Sequence, residues 1–403
     1  MSVELDDRFA EMDRLPRVAT DEPGRGPMIR EVRVTPLLMP LRQPYVWAQG
    51  VAEAFVVNLV EVEDDEGRRG IGECTTAPDA QALARILRRI GRRLVGRSPF
   101  EANAICREVF QAEFKAWGAM NPRFANQLLA GFEMAMWDLM GKQTGHPVYD
   151  LLGGAFRESV GYFYFLQGTS IDELVADARH AASIGAPVIY LKVGLGERHD
   201  LEATAAVRSV IGDASLRLDA NEAWDVATAI RMIRKLREFD PDFVEQPTPS
   251  GSIAALAQVR ASVDVPIAAD QAVFTIYDVY EVCRTQAADV IVLGPREIGG
   301  IQPMVKAAAI AEAAGLTVCI HGSFTTGITT CAEHQIGRLL PNLDGGNQIM
   351  WQLMRDNLIA RPSLTPEKGR LALPARPGLG AELDDAAVRD ASERFERDAA
   401  VER

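Results

Sequence analysis

Cysteine and histidine are scarce in this sequence of 403 residues, with five of each. The cysteines are scattered, without a CxxC pair or another zinc-type spacing, which argues against a zinc module and a disulfide framework. We therefore expect reduced thiols and a cytoplasmic protein. The cysteines are Cys74, Cys106, Cys283, Cys319 and Cys331.

Three further features are missing from the chain. No apolar run approaches the length of a membrane span, so we expect no membrane partner. Residues 1–28 are charged and lack the apolar centre of a signal peptide, and we interpret them as a solvated extension. Neither a GxGxxG motif nor a P-loop is present, which argues against a dinucleotide or nucleotide fold.

Basic residues are also fewer than acidic ones. Lys and Arg number 43 against 56 Asp and Glu, a net charge of −13. Binding to nucleic acid requires clustered Lys and Arg, so we expect no nucleic-acid partner. An anionic substrate would have to be attracted locally, by a metal ion or a lysine, rather than by the overall field of the protein.

Residues 29–155 change from strand to helix periodicity. From Ile29 to about Gly72 apolar residues alternate with others, and the acidic turn at 64–67 interrupts them, which is typical of a hairpin or meander. From Asp79 to about Leu152 the apolar residues recur at helical spacing. Strands followed by helices predict an α+β domain.

Residues 156–355 alternate short β-branched runs with amphipathic segments. Eight strands with a repeat of roughly 25 to 30 residues are what a β/α barrel requires. An open doubly wound sheet has the same alternation, but it normally carries the Gly-rich phosphate loop that is missing here, so we favour the barrel. Residues 356–403 are predicted to be irregular and then partly helical. The predicted strands are 162–166, 188–193, 216–220, 243–245, 266–270, 290–293, 317–321 and 348–351.

Carboxylates end three successive predicted strands, at Asp219, Glu245 and Asp270. Reactive groups of a β/α barrel lie at the C-terminal ends of its strands, so we expect these three to converge at matching height. A single Asp after a strand is more often a helix cap or an ion-pair partner. Three together would repel one another without a cation. Since oxygen ligands suit Mg²⁺ and also Mn²⁺, the sequence predicts a divalent metal site.

Two further residues are candidate acid–base groups. Lys192 ends the strand before the first carboxylate, and near a bound cation its pKa should fall, as a general base requires. The alternative is a structural lysine that neutralises the acidic cluster. His321 ends the seventh strand, across the barrel from Lys192. The alternative there is a buried histidine of the core.

Taken together, these motifs resemble the mandelate racemase and muconate lactonizing enzyme group of the enolase superfamily. The resemblance covers nearly the whole chain from Ile29. Segments 219–221, 244–247 and 269–270 resemble the three metal-ligand segments of the family, and 299–301 resembles the turn after its sixth strand. The family's junction between capping domain and barrel has counterparts in segments 135–142, 147–148 and 151–154.

The resemblance implies a modified TIM barrel of the (β/α)7β type, with an N-terminal α+β capping domain completed by the C-terminal segment. It implies Mg²⁺ at Asp219, Glu245 and Asp270, and it makes Lys192 the second lysine of the family's Lys-x-Lys element. The metal and a lysine would stabilise the enediolate that forms when the α-proton of a carboxylate substrate leaves. The capping domain would close the mouth, so residues near Glu73 are expected to contact the substrate.

Three departures from the family pattern are visible. Tyr190 replaces the first lysine of Lys-x-Lys. Gly294 ends the sixth strand, where racemase-like members carry an Asp that orients the histidine and lactonizing members carry a lysine. Near Gln348, at the eighth strand end, no obvious glutamate is found. The predicted substrate-binding residues are Tyr45, Trp47, Tyr190, Asn221, Gly294 and Ser323.

The incomplete two-base machinery favours dehydration of a hydroxy or sugar acid. Elimination needs one base and an acid for the departing hydroxide, whereas racemisation needs a competent base on each face of the α-carbon. Racemisation or epimerisation and muconate-type cycloisomerisation remain alternatives, as does a non-catalytic metal-binding barrel of another functional class. We expect a small-molecule carboxylate substrate and a homo-oligomer.

Overall fold

The computed structural model describes residues 26–74, 79–117, 121–322 and 324–401. The predicted contact at Ser323 and nearly all of the predicted charged extension lie outside these ranges. Within the ranges, no helix combines the length and the apolar character that crossing a membrane requires.

The N-terminal part is an antiparallel meander covered by helices, as the change in periodicity predicts. Asp64 fixes its second turn, because its carboxylate accepts hydrogen bonds from the backbone N–H groups of Glu66 (3.0 Å) and Arg68 (2.8 Å). The strands are β1 (Ile29–Trp47), β2 (Gly50–Asp64) and β3 (Arg69–Cys74); the helices are α1 (Ala80–Gly91), α2 (Ala102–Val109), α3 (Pro122–Thr144) and α4 (Val148–Leu151). Short 3-10 or π-helical turns occupy Pro99–Glu101, Phe110–Phe114 and Lys115–Trp117.

Seven parallel strands form the barrel sheet, after the short β4 (Val160–Gly161). They are β5 (Tyr164–Phe165), β6 (Val188–Lys192), β7 (Ser215–Asp219), β8 (Pro241–Glu245), β9 (Ile267–Ala269), β10 (Val290–Leu293) and β11 (Thr317–Ile320). Their order in the sheet is β11-β10-β9-β8-β7-β6-β5. The helices are α5 (Ile171–Ser183), α6 (Glu197–Arg208), α7 (Val226–Leu236), α8 (Ile253–Arg260), α9 (Ile276–Thr285), α10 (Pro295–Ile298), α11 (Ile301–Ala313) and α12 (Gly327–Leu339), with a 3-10 turn at Arg237–Phe239. The predicted alternation is therefore confirmed for seven strands.

The eighth predicted strand, at 348–351, is wrong. This segment forms no ladder, and a 3-10 turn follows at Trp351–Leu353. A single parallel bridge between Asn347 and Tyr162 stands in its place: the Asn347 N–H donates to the Gly161 carbonyl (2.9 Å), and the Gln348 N–H donates to the Ile320 carbonyl (2.8 Å). The Asn347 side chain adds a bond on each side, since its Oδ1 accepts from the Ile320 N–H (2.7 Å) and its Nδ2 donates to the Gly161 carbonyl (2.9 Å). Asn347 thus links the last strand of the sheet to the segment that precedes its first strand.

The C-terminal segment returns to the N-terminal meander, as the resemblance implies. Strand β12 (Ile359–Arg361) pairs with β14 (Glu382–Leu383), and β13 (Arg370–Leu371) pairs with β4. The last helix, α13 (Asp385–Val401), packs against β1. Its Arg394 donates to the carbonyl of Leu38 at 3.4 Å.

Helix α3 fastens the capping domain to the barrel. The Arg123 guanidinium donates to the carbonyls of Gln271 (2.9 Å) and Ala272 (3.2 Å), directly after Asp270. The buried Glu133 accepts from the N–H groups of Ile301 (2.7 Å) and Gln302 (2.9 Å), at the N-terminus of α11. These N–H groups and the positive end of the helix dipole offset part of the cost of burying the carboxylate, although burial still raises the pKa of Glu133 to about 7.

Candidate active site

A cavity of about 250 Å³ lies at the C-terminal ends of the barrel strands, beneath the β1–β2 hairpin. This volume lies just below the range that starts at about 300 Å³ for drug-sized ligands, so the cavity suits a small molecule. Most of the predicted site residues line it: Tyr45, Trp47, Tyr190, Lys192, Asp219, Asn221, Glu245, Asp270 and His321.

Lys192 lies in the cavity wall and is tied to two neighbours. Its Nζ donates to Asp219 Oδ2 (2.5 Å) and to Asn221 Oδ1 (2.6 Å), while the Asn221 N–H donates to Asp219 Oδ1 (2.8 Å). Burial opposes the charge on Lys192, but Asp219 and then Tyr45 and Glu245 outweigh it, so the pKa of Lys192 is raised. In this arrangement Lys192 is an ammonium ion.

The strand register brings the first two carboxylates level with Lys192. In the parallel ladders Lys192 pairs with Asp219, and Asp219 pairs with Glu245. Glu245 pairs with Ala268, so Asp270 follows two residues beyond the expected height. The predicted matching register thus holds for Asp219 and Glu245 alone, although Asp270 still reaches the same cavity.

The three carboxylates are buried and crowded. Asp219, Glu245 and Asp270 are at most 3% exposed. Burial, followed by the charges of Asp219 and Asp270, raises the pKa of Glu245 well above its usual range. Burial also raises the pKa of Asp270, against the opposing effect of His321. Negative charge is therefore concentrated where little solvent can stabilise it.

These residues fit a hard divalent cation by their chemistry. Across the described ranges, no three Asp, Glu, His or Cys side chains already surround one point as they would around a bound ion. Asp219 instead pairs with Lys192, and Asp270 pairs with His321. Oxygen donors from three adjacent strands, with unbalanced charge, are nevertheless the set that Mg²⁺ or Mn²⁺ prefers.

Gln246 fixes the backbone around the third carboxylate. Its Oε1 accepts from the N–H groups of Asp270 (3.0 Å) and Ala272 (3.1 Å), and its Nε2 donates to the carbonyl of Thr248 (2.8 Å). All of these groups are buried, so the amide side chain has one favourable orientation. Together with Arg123 on the other side, Gln246 holds Asp270 at the cavity.

His321 faces Asp270 across an intervening strand. Its Nδ1 lies 3.0 Å from Asp270 Oδ1, although β10 separates β11 from β9 in the sheet. Burial lowers the proton affinity of His321, but Asp270 and then Glu297 outweigh burial and raise its pKa to about 10. His321 therefore has a carboxylate partner, which the sequence comparison with the family did not provide.

Gly294 does not contact the cavity, contrary to its assignment as a substrate-binding residue. A Cβ atom at this position would lie 1.8 Å from the carbonyl oxygen of His321 and 2.5 Å from Glu297 Oε2. Gly294 therefore lies beneath His321, where only a glycine fits.

Glu73 also lies elsewhere than expected. It is fully buried, and its carboxylate accepts from Thr326 N–H (2.8 Å) and Thr326 Oγ1 (2.6 Å), at the N-terminus of α12. Glu73 itself does not line the cavity, and the residues that directly follow it, 75–78, lie outside the described ranges, so the expected contact of residues near Glu73 with substrate stays a prediction. The residue instead links the capping domain to the loop that follows His321.

Aromatic rings form one wall of the cavity. The ring centroid of Phe324 lies 5.2 Å from that of Tyr45 and 5.9 Å from that of Trp47. Tyr190, which replaces the first family lysine, stacks on Phe163 at 4.4 Å and donates from Oη to Asp219 Oδ2 at 2.7 Å. The Tyr190 hydroxyl thus supports a carboxylate of the acidic set.

Several lining residues were not predicted from the sequence. Gln49, in the β1–β2 hairpin, donates from Nε2 to the carbonyl of Asn221, and Glu222 accepts from the N–H of Ser250. Gln348 accepts from the N–H of Gly322 at 3.0 Å. Gln49 carried no signal, because a polar residue in a hairpin is ordinary. Glu222 follows the predicted strand 216–220, and Gln348 belongs to the predicted strand 348–351. These positions near strand ends could have marked both residues as candidates for the cavity lining.

Comparisons with known proteins agree with this geometry. Residues 29–153 match the mandelate racemase / muconate lactonizing enzyme N-terminal domain, and residues 173–387 match the enolase C-terminal domain-like family. The chain is 31% identical over 375 residues to muconate cycloisomerase 1 of Rhodococcus opacus, covering 90% of this chain and 97% of that protein. It is 26% identical over 344 residues to arabinonate dehydratase of Saccharolobus solfataricus, covering 84% and 91%. Other relatives are named as epimerases and racemases.

A solved structure shows the same architecture. The muconate lactonizing enzyme from Pseudomonas fluorescens, complexed with muconolactone, matches with a TM-score of 0.84 at 27% sequence identity. The match covers 91% of this chain and 100% of that chain. The modified barrel with an N-terminal capping domain is therefore confirmed.

Proposed function

This chain belongs to the mandelate racemase / muconate lactonizing enzyme family of the enolase superfamily, and from that premise we propose that it dehydrates a small hydroxy or sugar acid. Its relatives are named as cycloisomerases, epimerases, racemases and a dehydratase, so the chain is an enzyme of this superfamily. That membership argues against the non-catalytic barrel that the sequence alone left open.

One observation carries the proposal. Lys192 and His321 both line the cavity, and each is paired with a different carboxylate of the acidic set. Four strands separate β6 from β11 in the sheet order, so the two residues approach from different sides of the barrel mouth. A substrate bound between them would have a base beside its α-carbon and an acid beside its β-hydroxyl.

In the proposed reaction Lys192 removes the α-proton and His321 protonates the departing hydroxide. The substrate's own electrons form the new double bond, so no oxidant or reductant is needed. Asp219, Glu245 and Asp270 would hold Mg²⁺ or Mn²⁺. When bound, the cation supplies charge stabilisation to the substrate carboxylate as the proton leaves.

The protonation states suit this division of work. Asp270 and then Glu297 favour the charged imidazole of His321, and Glu297 is not among the proposed cation ligands, so this support persists when a cation shares Asp270 and His321 can donate a proton. Lys192 must instead be neutral to accept one. Its charge depends on Asp219, and when that carboxylate is shared with a cation, the ammonium loses its main stabilising partner.

The polar rim of the cavity suits a hydroxylated substrate. Gln49, Asn221, Glu222 and Gln271 contribute amide and carboxylate groups around the mouth. Such groups hydrogen-bond to hydroxyl substituents and discriminate strongly against analogues that lack them. The dehydratase among the relatives acts on a sugar acid, by its name, which is the same class.

The test is an exchange experiment with a panel of acids. The protein is incubated with MgCl₂ in D₂O and with hydroxy, sugar, amino and unsaturated carboxylic acids. Mass spectrometry then records water loss and deuterium uptake. We expect water loss from one acid class, abolished in Lys192→Ala and strongly reduced in His321→Asn. The control is Glu133→Gln, at a buried carboxylate that does not line the cavity.

Two other outcomes would contradict dehydration. Deuterium uptake with inversion at the α-carbon, sensitive to both variants and without water loss, would indicate a racemase or epimerase. No exchange with any acid, at a Mg²⁺ concentration that demonstrably binds, would contradict proton abstraction from the acids tested.

A second candidate is epimerisation of an acid with an apolar substituent. The observation that favours it is the aromatic wall of Tyr45, Trp47 and Phe324, whose centroids lie 5.2 to 5.9 Å apart. Such a surface buries apolar area, worth roughly 25 cal/mol per Å². Trp47→Ala would then raise KM most for acids with apolar side chains, whereas a sugar-acid dehydratase would show little such preference.

A further inference from the structure

Helix α1 and the turn after it present a basic surface on the capping domain. Residues 80–97 contain six arginines and no acidic residue, in a chain whose net charge is −13. The apolar side of α1 is buried, and spacings of three and four residues place the helix arginines together on the opposite side. The six residues, which we call the basic face, are Arg85, Arg88, Arg89, Arg92, Arg93 and Arg97.

Neighbouring carboxylates balance only part of the charge on the basic face. Glu113 accepts from both Arg89 (2.7 Å) and Arg93 (2.6 Å). Arg85 and Arg92 are exposed, and in the part of the chain that the structure describes neither has a carboxylate within ion-pair distance. The remaining ion pairs of the face join Arg97 to Glu101 and Glu108. The basic face therefore keeps a net positive charge.

The ordinary electrostatics of a helix end does not account for this cluster. Arg88 and Arg89 lie in the last turn of α1, where the helix dipole favours cations. Arg85 lies nearer the middle of the helix, and it is four residues from Arg89. Like charges at this spacing destabilise a helix, so a counter-charge on the exposed side would be favourable.

The N-terminal segment enters the fold beside the basic face. The Ile29 N–H donates to the carbonyl of Arg97 (2.9 Å), and the Gly96 N–H donates to the carbonyl of Ile29 (2.8 Å). Residues 14–28 can span about 50 Å when extended, at roughly 3.3 Å per residue. The 12 residues of α1 measure only about 18 Å along the helix axis. Residues before 14 can therefore reach any part of the basic face.

Residues 4–13 carry the complementary charge. They contain five acidic residues and one arginine, a net charge of −4. Their larger apolar side chains recur at the spacing of one helical face, at Leu5, Phe9 and Met12. Val95 and Phe100, which follow α1 in the chain, are 48% and 55% exposed. The segment therefore matches this surface in charge and also in apolar character.

We propose that residues 4–13 bind in cis to the basic face of the capping domain. The segment would supply the carboxylates that Arg85 and Arg92 lack, rather than remaining a solvated extension. Binding in cis is favoured because a short linker gives an effective concentration on the order of millimolar. None of the six arginines lines the cavity, so the proposal does not depend on the reaction proposed above.

The test is photo-crosslinking within the full chain. Phe9 is replaced by p-benzoylphenylalanine, and the protein is irradiated at about 20 mM NaCl, where charges are weakly screened. Products are separated by size and mapped by peptide mass spectrometry. The variant is Arg85→Glu/Arg92→Glu. The matched control is Arg179→Glu/Arg198→Glu, the same charge change at exposed arginines of α5 and α6.

We expect an intramolecular crosslink from position 9 to residues 80–101. Its yield should fall about 3- to 10-fold in Arg85→Glu/Arg92→Glu and also in 0.5 M NaCl, because exposed ion pairs are weak and are screened by salt. The control variant should keep the wild-type yield. Adding Asp6→Lys/Asp7→Lys/Glu11→Lys to the reversed face makes the segment positive and should recover most of the crosslink. This recovery would exclude misfolding as the cause of the loss.

Three results would overturn the proposal. An equal yield in wild type and Arg85→Glu/Arg92→Glu would show that charge does not direct the contact. Crosslinked products of dimer size would assign the basic face to a second copy of the chain rather than to binding in cis. Absence of any crosslink to residues 80–101 would show that the segment does not bind there, and binding of a DNA duplex or anionic vesicles at the same salt would then assign the face to a polyanion.

Discussion

Removing one carboxylate of the acidic set should change how the protein responds to Mg²⁺. The perturbation is Glu245→Gln, which keeps the size of the side chain and removes its charge. Glu245 is 3% exposed and lies between Asp219 and Asp270, whose charges raise its pKa. If these three residues hold the cation, the wild-type protein is stabilised by Mg²⁺ and the variant is stabilised far less.

The expected magnitude follows from ligand linkage. At a free Mg²⁺ concentration of 100 times Kd, binding stabilises the native state by about 2.7 kcal/mol. With an unfolding entropy of roughly 2.1 cal/mol/K per residue, this corresponds to an upward Tm shift of about 3 °C for a chain of 403 residues. Thermal unfolding by circular dichroism, with EDTA and with 10 mM MgCl₂, measures this shift.

Without metal, we expect Glu245→Gln to change the stability of the protein in the opposite direction. The folded-state pKa of Glu245 is raised above its unfolded value, so the carboxylate costs stability that grows as pH rises above about 4.3. In EDTA, Glu245→Gln should therefore be no less stable than wild type at pH 7, and its advantage should grow as the pH rises above 5.

The control is Glu222→Gln, at the rim of the same cavity and outside the acidic set. It should retain the full Mg²⁺-dependent shift. An equal shift in wild type and Glu245→Gln would refute the reasoning, because the cation would then bind elsewhere. Loss of stability in EDTA for Glu245→Gln would refute the argument from charge repulsion.

Three further predictions test the surroundings of the site. Lys192→Ala should lower α-proton exchange by about 10²- to 10⁴-fold, the usual contribution of a general base, and residual exchange above a tenth of wild type would exclude Lys192 from that role. Gly294→Ala should destabilise the fold by about 1–3 kcal/mol or more in urea unfolding, because its Cβ would meet the His321 carbonyl at 1.8 Å; an unchanged midpoint would contradict the packing argument. Burial raises the pKa of Glu133 to about 7, so the free energy of unfolding of the wild type should fall by up to about 3 kcal/mol between pH 4.5 and pH 7. Glu133→Gln should remove this pH dependence. If the free energies of the two proteins change in parallel with pH, Glu133 keeps its usual pKa.

The barrel strands were predictable because their periodicity is strong and local. The runs at 188–193, 216–220 and 290–293 each bury nearly every residue, and parallel strands covered on both faces have this composition. The eighth strand failed for a different reason. Residues 348–351 are apolar enough to suggest a strand, but the backbone pairing is limited to a bridge at Asn347 and one hydrogen bond from Gln348, and the Asn347 side chain supplements it. The point at which backbone pairing stops leaves no signal in hydrophobic periodicity.

The cavity was predictable where it is built from strand ends. Lys192, Asp219 and Glu245 follow from their strands, because adjacent parallel strands in register carry them to one edge. The loops were harder. The position of Glu73 on Thr326 depends on how the capping domain meets α12, a contact between residues 253 positions apart in the chain. No local pattern determines a contact of that separation.

Gly294 shows how a departure from a family pattern should be judged. From the sequence, Gly294 removes the carboxylate that orients the histidine in racemase-like members, which predicts a histidine without a carboxylate partner. In the fold His321 Nδ1 lies 3.0 Å from Asp270 Oδ1, and Glu297 takes the space that a side chain at position 294 would need. An Asp at this position would have to displace both the His321 carbonyl and the Glu297 carboxylate. The glycine and Glu297 therefore depend on each other, and Gly294→Asp in this chain should disrupt the site rather than restore a racemase-like pair.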